Sequence, residues 1–295
     1  MRVVVAALVA SAVVVGVASA SGPRSGLVSF WSDRGGFPGA WVMNADGSNP
    51  RLVSGKVWAK RPSWSPDGRR IVFDGPQNVA SSRILDDFDL YVANADGSGR
   101  HRITHGPQRD VLAAWSPDGG TIAFTRRANR NAVEEVWLVR PDGRGLRRLA
   151  RGAAPVWSPD SGSIAFARLA GRRYAIFTIA ADGTNLRRLT TSETDDGPTD
   201  WSRDGRLLFT RWRLGEPGGD VWVLDRSTGR ESRLTRTPAD DFDATWSPDG
   251  RRILFTSDRA GSKDVWLMNA DGSKPRALTR GPAEDWATDW QPRVR

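Results

Sequence analysis

Four aspartates each stand five residues before a tryptophan: Asp110, Asp196, Asp241 and Asp285. Carboxylates gathered at one mouth of a protein could bind a cation, a basic peptide or sugar hydroxyls. Two of them at the right separation could hydrolyse a glycosidic bond. In the alternative, each aspartate caps its own loop or pairs with an arginine from a neighbouring loop, such as Arg126, Arg211 or Arg259. The sequence favours this second, structural interpretation.

A second group of candidates is aromatic. The chain has 14 tryptophans against 2 tyrosines, and ten of the tryptophans recur at repeated positions. The other four are Trp31, Trp58, Trp212 and Trp286. We expect all four in connections on one face, with Trp31, Trp58 and Trp286 in one sector. An exposed aromatic patch could stack on a ligand or anchor a partner, or it could only roof the loops, and the sequence leaves both open.

The sequence contains few residues that could support thiol, metal or nucleophile chemistry. The chain has no cysteine, which excludes disulfides, thiolate catalysis and Cys-ligated metals, and it has only two histidines. It contains no Gly-x-Ser-x-Gly nucleophile motif. The acidic runs at 86–89 and 240–243 lack the ligand spacing of a calcium loop. We therefore expect no cofactor and no metal.

The net charge is +9 and the isoelectric point is near 10.9. A basic balance can indicate a nucleic-acid or anionic-membrane partner. Here the arginines recur at fixed repeat positions, for example Arg69-Arg70 and Arg251-Arg252, and no block of like charge exists. We therefore expect no nucleic-acid partner.

The positions of these candidates follow from an internal repeat. The string Trp-Ser-Pro-Asp-Gly or a near copy begins at Trp64, Trp115, Trp157, Trp201 and Trp246, and a shortened copy begins at Trp290. The intervals are 51, 42, 44, 45 and 44 residues, which is the period of a propeller blade. The long first interval comes from an insertion between Asp74 and Asp89, which we expect to fold over the loops as a lid.

Each unit has the same pattern. A turn follows the tryptophan, and then comes an alternating Ile-x-Phe strand, such as Ile71/Phe73. A variable loop, an aromatic-bearing strand, an Asn-Ala-Asp-Gly-like turn and an Arg-x-Leu-Thr-like strand complete the unit. This pattern predicts four antiparallel strands, A to D, in each blade.

The aromatic residues predict how the blades pack and how many there are. Six tryptophans end strand A, and strand C carries Trp41, Tyr91, Trp137, Phe177, Trp222 and Trp266. These six pairs of aromatic residues are expected to wedge between successive blades. Strands B, C and D in residues 27–53 lack a strand A, while residues 287–291 form a strand A with nothing after it. The fold prediction is therefore all-β: a six-bladed propeller, closed by the C-terminal strand completing the N-terminal blade.

The repeat Trp-Ser-Pro-Asp-Gly-x-x-Ile-x-Phe, with the later Asn-Ala-Asp-Gly and Arg-x-Leu-Thr, resembles the TolB-type propeller repeat. The resemblance covers about residues 26–292, and its six copies are specific for fold and not for function. It implies a periplasmic interaction protein of the Tol–Pal kind. TolB carries an N-terminal α/β domain that this sequence has no room for, and related peptidases carry a hydrolase domain that is also lacking.

The N-terminus resembles a secretory signal. Arg2 precedes the apolar stretch at 3–17, and Ala18-Ser19-Ala20 offers a cleavage site. A helix of that length is about 22 Å long, short of the ~30 Å hydrocarbon core, although an uncleaved anchor remains the alternative. We divide the chain into a signal peptide, 1–20, and a propeller, 21–295. The mature chain should have no transmembrane span and reside in the periplasm, the envelope or the medium.

The leading functional hypothesis is an exported, non-enzymatic scaffold for protein–protein interaction, acting as a monomer. Its partner would be an envelope or extracellular protein, or a cell-wall polymer. The alternative is a propeller that binds, or hydrolyses, a glycan or small ligand through the acidic channel mouth and the extra tryptophans.

Overall fold

The repeated Trp-Ser-Pro-Asp-Gly motif forms the turn between the first two strands of a blade. In the first copy, the Gly68 N–H donates to the Ser65 carbonyl over 2.8 Å, and the Arg69 N–H donates to Asp67 Oδ1 over 3.0 Å. Gly68 has φ = 65°, a conformation that glycine adopts without steric cost. The motif is therefore a turn device, as its sequence predicts.

The computed structural model describes residues 26–36, 38–55, 58–76, 87–129, 131–191, 193–213, 215 and 218–292. The predicted signal peptide, residues 1–20, lies outside the described residues. So does most of the predicted lid, residues 77–86.

The described residues form 24 β-strands and one short 3-10 turn at Arg34–Gly36. Blade 1 consists of β1 Leu27–Ser32, β2 Gly39–Asn44, β3 Arg51–Leu52 and, from the C-terminus, β24 Asp285–Trp290. Blade 2 consists of β4 Lys60–Trp64, β5 Arg70–Pro76, β6 Phe88–Asn94 and β7 His101–Arg102. Blade 3 consists of β8 Arg109–Trp115, β9 Ile122–Arg127, β10 Glu135–Val139 and β11 Arg147–Arg151. Blade 4 consists of β12 Ala153–Trp157, β13 Ser163–Ala170, β14 Arg173–Ala180 and β15 Arg187–Arg188. Blade 5 consists of β16 Asp195–Trp201, β17 Arg206–Trp212, β18 Gly219–Asp225 and β19 Arg230–Arg233. Blade 6 consists of β20 Asp241–Trp246, β21 Arg252–Ser257, β22 Asp264–Asn269 and β23 Arg276–Ala277.

The six sheets each have four antiparallel strands, and five of them are continuous in sequence. The sixth is blade 1, in which β24 pairs with β1: Val28 lies opposite Trp290, and Trp31 lies opposite Trp286. The C-terminal strand therefore completes the N-terminal blade, and the predicted six-bladed ring is confirmed.

The hydrophobic core is divided among six seams between successive blades. Each seam contains the strand-A tryptophan and the strand-B phenylalanine of one blade, packed on strands of the preceding blade. In the seam between blades 5 and 6, for example, Trp246 and Phe255 pack on Leu208 and Val221. The closing seam has the same composition, with Trp290 and Phe30 beside Leu254. All six strand-A tryptophans are at most 9% exposed.

The strand-C aromatics contact a different partner from the one the pattern predicts. Each lies directly opposite the strand-B phenylalanine of its own blade, as Phe209 lies opposite Trp222 with ring centroids 6.3 Å apart. They are only partly buried and pack at the margin of the seams. The tryptophans of strand A therefore form the wedges between blades, and the strand-C aromatics cover the strand-B phenylalanines at the margin of each seam.

The Asn-Ala-Asp-Gly turns also join neighbouring blades. A Cβ atom on Gly97 would lie 2.5 Å from the Val53 carbonyl oxygen of the preceding blade, and φ at Gly97 is 89°. Both the backbone conformation and this close approach therefore require glycine.

We predict that removing residues 284–295 opens the ring. The deletion removes β24 and takes Trp290 out of the closing seam, which leaves two exposed strand edges. Loss of that buried side chain alone should lower the melting temperature by roughly 10 °C or more. A chain lacking only 293–295, which keeps β24, is the control. If the chain lacking 284–295 melts at the same temperature as the chain lacking only 293–295, the ring does not close through β24.

Candidate functional site

The four predicted aspartates all lie at the start of a strand A, the innermost strand of each blade, or one residue into it. These strand starts, together with the connections between the second and third strands, lie on one face of the ring, which we call the loop face. All four carboxylates are buried, with at most 1% exposure: Asp110 in β8, Asp196 in β16, Asp241 in β20 and Asp285 in β24.

Each aspartate is held by an arginine of its own blade. Arg126 Nε and Nη2 donate to the two oxygens of Asp110, both over 2.7 Å. Arg211 donates in the same way to Asp196, over 2.7 and 2.9 Å. Arg259 Nη2 lies 2.8 and 2.7 Å from the two oxygens of Asp241. The structure therefore favours the pairing interpretation over a ring of free carboxylates.

The fourth pair contains an arginine that the sequence reading missed. Arg34 donates through Nη2 to Asp285 Oδ2. Arg34 follows Phe30 by four residues, as Arg259 follows Phe255, so aligning these two units would have identified it.

The paired arginines also lie over aromatic rings. The guanidinium carbons of Arg126, Arg211 and Arg259 stand 4.8, 4.7 and 4.8 Å from the strand-C tryptophans Trp137, Trp222 and Trp266. Each pair therefore fixes its strand-A start to the outer strands. Removing one partner of such a buried pair is destabilising because the other charge is left uncompensated.

Three of the four extra tryptophans form a continuous arc across blades 6, 1 and 2. Trp31 contacts Trp286 with centroids 5.3 Å apart, Trp286 contacts Phe242 at 5.6 Å, and Trp58 contacts Phe88 at 6.1 Å. We call these five residues, with Lys60 and Lys263, the aromatic arc.

Two lysines complete the arc. Lys60 Nζ lies 5.9 Å from the Trp31 ring and 5.4 Å from the Trp58 ring. It therefore joins the group around Trp31 and Trp286 to the pair of Trp58 and Phe88. Lys263 Nζ lies 4.8 Å from the Trp286 ring. Among the described residues, neither ammonium has an ion-pair partner. Burial lowers the pKa of Lys60, against the opposing charge of Asp74.

The tryptophans differ from the sequence expectation in their placement. Trp31 and Trp286 lie in strands, directly opposite each other, and not in loops. Trp31, Trp58 and Trp286 are half-buried, and the indole N–H groups of Trp31 and Trp58 are buried without an acceptor among the described residues. Trp212 ends β17 in blade 5, apart from the others, and is 40% exposed.

The arc coincides with large side chains at two positions of the repeat. After the strand-B phenylalanine, blades 3 and 6 carry a threonine whose hydroxyl accepts an N–H from the next blade; Thr125, for example, accepts from Ala154 over 2.9 Å. Blade 1 has Trp31 at this position. Four residues before the strand-A tryptophan, blades 3 to 5 carry small or medium residues, whereas blades 6, 1 and 2 carry Phe242, Trp286 and Lys60.

A buried carboxyl group adjoins the arc. Asp74 is 2% exposed and lies opposite Lys60 across the β4–β5 ladder, and its Oδ1 atom has no hydrogen-bond partner among the described residues. Burial raises the pKa of Asp74 to about 7, although the charges of Arg61, Lys60 and Arg109 oppose the shift.

A strained feature lines the channel beside the arc. Arg61 and Asp243 have φ of 46° and 50° and lie at bulges in β4 and β20. Non-glycine residues rarely adopt this conformation. Arg61 Nη1 approaches Asp243 Oδ1 to 3.3 Å, so blades 2 and 6 are joined across blade 1.

At the opposite end of the channel, carboxylates connect neighbouring innermost strands. Asp289 Oδ2 accepts the Trp64 N–H over 2.9 Å, and Asp200 Oδ2 accepts the Trp246 N–H over 2.6 Å. Burial raises the pKa of Asp289 to about 7. A cavity of about 300 Å³ adjoins both aspartates. Within the described residues, no group of three or more potential metal ligands is assembled, and no helix has the length and apolar character to cross a membrane.

Comparison with solved structures identifies the fold. TolB from Acinetobacter baumannii superposes with a TM-score of 0.77 at 21% identity, over 92% of this chain and 68% of that one. A putative TolB from Agrobacterium tumefaciens superposes with a TM-score of 0.68 at 21% identity, over 90% of this chain and 91% of that one. The protein is therefore a TolB-like six-bladed β-propeller in fold.

Sequence comparison covers less of the molecule. The Tol-Pal system protein TolB of Anaeromyxobacter dehalogenans is 31% identical over 124 residues, which are 39% of this chain and 25% of that protein. The chain spans between 25% and 36% of the length of the curated relatives that it matches first. No protein-family model matches the chain.

We predict that Asp74 makes stability depend on pH. Its pKa is near 7 in the folded chain and about 3.9 when unfolded. Between these values the folded state keeps a proton that the unfolded chain has lost, so this group's contribution to the free energy of unfolding falls as pH rises. Asp74→Asn retains an oxygen acceptor and removes the titration. Urea unfolding between about pH 4 and about pH 8 should show a flatter profile for the variant, whereas identical profiles would contradict the assignment.

Proposed function

We propose that this protein is an exported, non-enzymatic interaction protein that binds a partner protein through the aromatic arc. The observation that carries the proposal is the continuous contact from Trp58 through Lys60 and Trp31 to Trp286. Tryptophan is enriched among residues that dominate binding energy, because a large rigid ring is desolvated at little cost in entropy.

The charge of the arc indicates the chemistry of the partner. Lys60 and Lys263 lie against aromatic rings and form no ion pair with a described residue. An acidic partner segment with apolar side chains would complement both the ammonium groups and the indoles. Such charge complementarity favours specificity and rapid association.

Three of the four ring aspartates support binding over catalysis. Hydrolysis of a glycosidic bond needs one carboxyl group free to donate a proton and a second free to act as base or nucleophile. Asp110, Asp196 and Asp241 each hold an arginine with both oxygens. Their role in this proposal is to fix the strand starts that present the arc.

The proposed location is outside the cytoplasm, in the periplasm, the envelope or the medium. The signal-like residues 1–20 support export, and a similarity to Tol-Pal system TolB over part of the chain is consistent with it. Export with cleavage after Ala20 would leave residues 21–295 as a monomeric propeller domain.

A second candidate function is glycan binding. Half-buried indole faces beside unpaired lysines would also suit an acidic sugar, such as a uronate of a cell-wall polymer. The arc would then contact sugar rings by stacking, and the lysines would contact their carboxylates.

The test uses residues 21–295 as bait in envelope extract. Trp286→Ala and Lys60→Gln should lose a protein that the wild type captures, by about 30-fold for the tryptophan. Trp212→Ala is the matched control, since it removes an exposed indole from the same face and should capture the partner normally. Circular dichroism confirms that each variant is folded.

Equal capture by the wild type and both arc variants would refute the proposal. Loss of a polysaccharide, and of no protein, from the Trp286→Ala sample would favour the glycan alternative instead.

A further inference from the structure

Blade 3 contains two arginines in an unfavourable arrangement. Arg109 in β8 lies directly opposite Arg127 in β9, so both side chains project from the same side of the sheet. The next pair along the ladder, Asp110 and Arg126, projects from the other side and is already joined. Like charges directly opposite each other destabilise an antiparallel pair. The arrangement therefore needs a compensating negative group.

The described part of the chain supplies no such group by direct ion pairing; the buried Asp74 attracts Arg109 only at longer range, and Asp87 lines the same cavity without an ion pair to either arginine. Neither Arg109 nor Arg127 forms an ion pair with a described residue, although most other half-buried or buried arginines of the loop face do. Among the described residues, the buried Nε atom of Arg109 has no hydrogen-bond acceptor. A buried donor without an acceptor is costly, which adds to the cost of the opposed pair.

Arg109 and Arg127 both line a cavity between blades 2 and 3. Its volume is about 380 Å³, and it is lined by both arginines, Asn129, Asn131 and Asp87 among others. This volume is in the range of small-molecule sites. The guanidinium carbon of Arg109 also lies 5.5 Å from the Phe88 ring centroid, which supports one side of the arginine.

We propose that this cleft binds a small molecule carrying an oxyanion, a carboxylate or a phosphate, between Arg109 and Arg127. Paired guanidinium groups suit such anions because their N–H donors match two oxygens at once. The side-chain amides of Asn129 and Asn131 supply further donors at the rim. Asp87, which shares the cavity, accepts a hydroxyl or ammonium group from another part of the same ligand. The cleft adjoins the aromatic arc at Phe88, but it would take a small anion rather than the partner protein, and so it goes beyond the proposed function.

The probes are inorganic phosphate and, separately, citrate, titrated by calorimetry at constant ionic strength into residues 21–295. We expect one binding site and an affinity reduced tenfold or more by Arg127→Gln, and likewise by Arg109→Gln. Arg69→Gln removes an exposed arginine from the opposite face and should bind as the wild type does. Phosphate binding without citrate binding identifies a phosphate site, and the converse identifies a carboxylate site. Failure of both probes, or equal affinity in all variants, overturns the proposal.

A second measurement separates a binding pair from a structural pair. In buffer containing neither probe, Arg127→Gln relieves the repulsion, so its melting temperature should equal or exceed that of the wild type. A lower melting temperature for Arg127→Gln would show that the arginine has a structural role and would overturn the proposal. Trp286→Ala should bind the probe normally, so failure of the arc proposal leaves this result unaffected.

Discussion

The structure depends on the packing of one tryptophan into each seam between blades. No blade has a core of its own, since each buried tryptophan at the end of an innermost strand rests on strands of the preceding blade. A ring built in this way is complete only when the last seam is made. That seam requires Trp290, which is brought there by β24 pairing with β1. Completing the hydrophobic core and closing the ring therefore depend on the same strand.

The ring also determines where variation is tolerated. The face opposite the loop face carries the tight Ser-Pro-Asp-Gly turns and the glycines that touch the preceding blade, so substitution of those glycines disturbs the seams. On the loop face, the Asp–Arg pairs of blades 1, 3, 5 and 6 hold the strand starts in position. Blades 2 and 4 lack such a pair, because Ala59 and Gly152 stand at the aspartate position. The gap in blade 2 lies beside Trp58, Lys60 and Asp74.

The sequence was sufficient for the blade pattern, the number of blades and the closing strand, because turns and alternating strands are local signals repeated six times. It predicted the residues of the site better than their contacts. The pairing of Asp110 with Arg126 depends on two strands lying side by side, so sequence could offer it only as one alternative. Trp31 was expected in a loop but lies in β1, at the position that a threonine holds in blades 3, 5 and 6. The opposed pair Arg109 and Arg127 was missed because it becomes visible only once the strand register is known.

The most direct test of this account is a tryptophan oxidation footprint, measured on the wild-type protein free and in complex with the captured partner. The account predicts slower oxidation in the complex at Trp31, Trp58 and Trp286, with no change at Trp212, which lies on the same face in blade 5 and is 40% exposed. Protection of Trp212 with unchanged oxidation at the other three would contradict the claim that the molecule binds its partner through the aromatic arc.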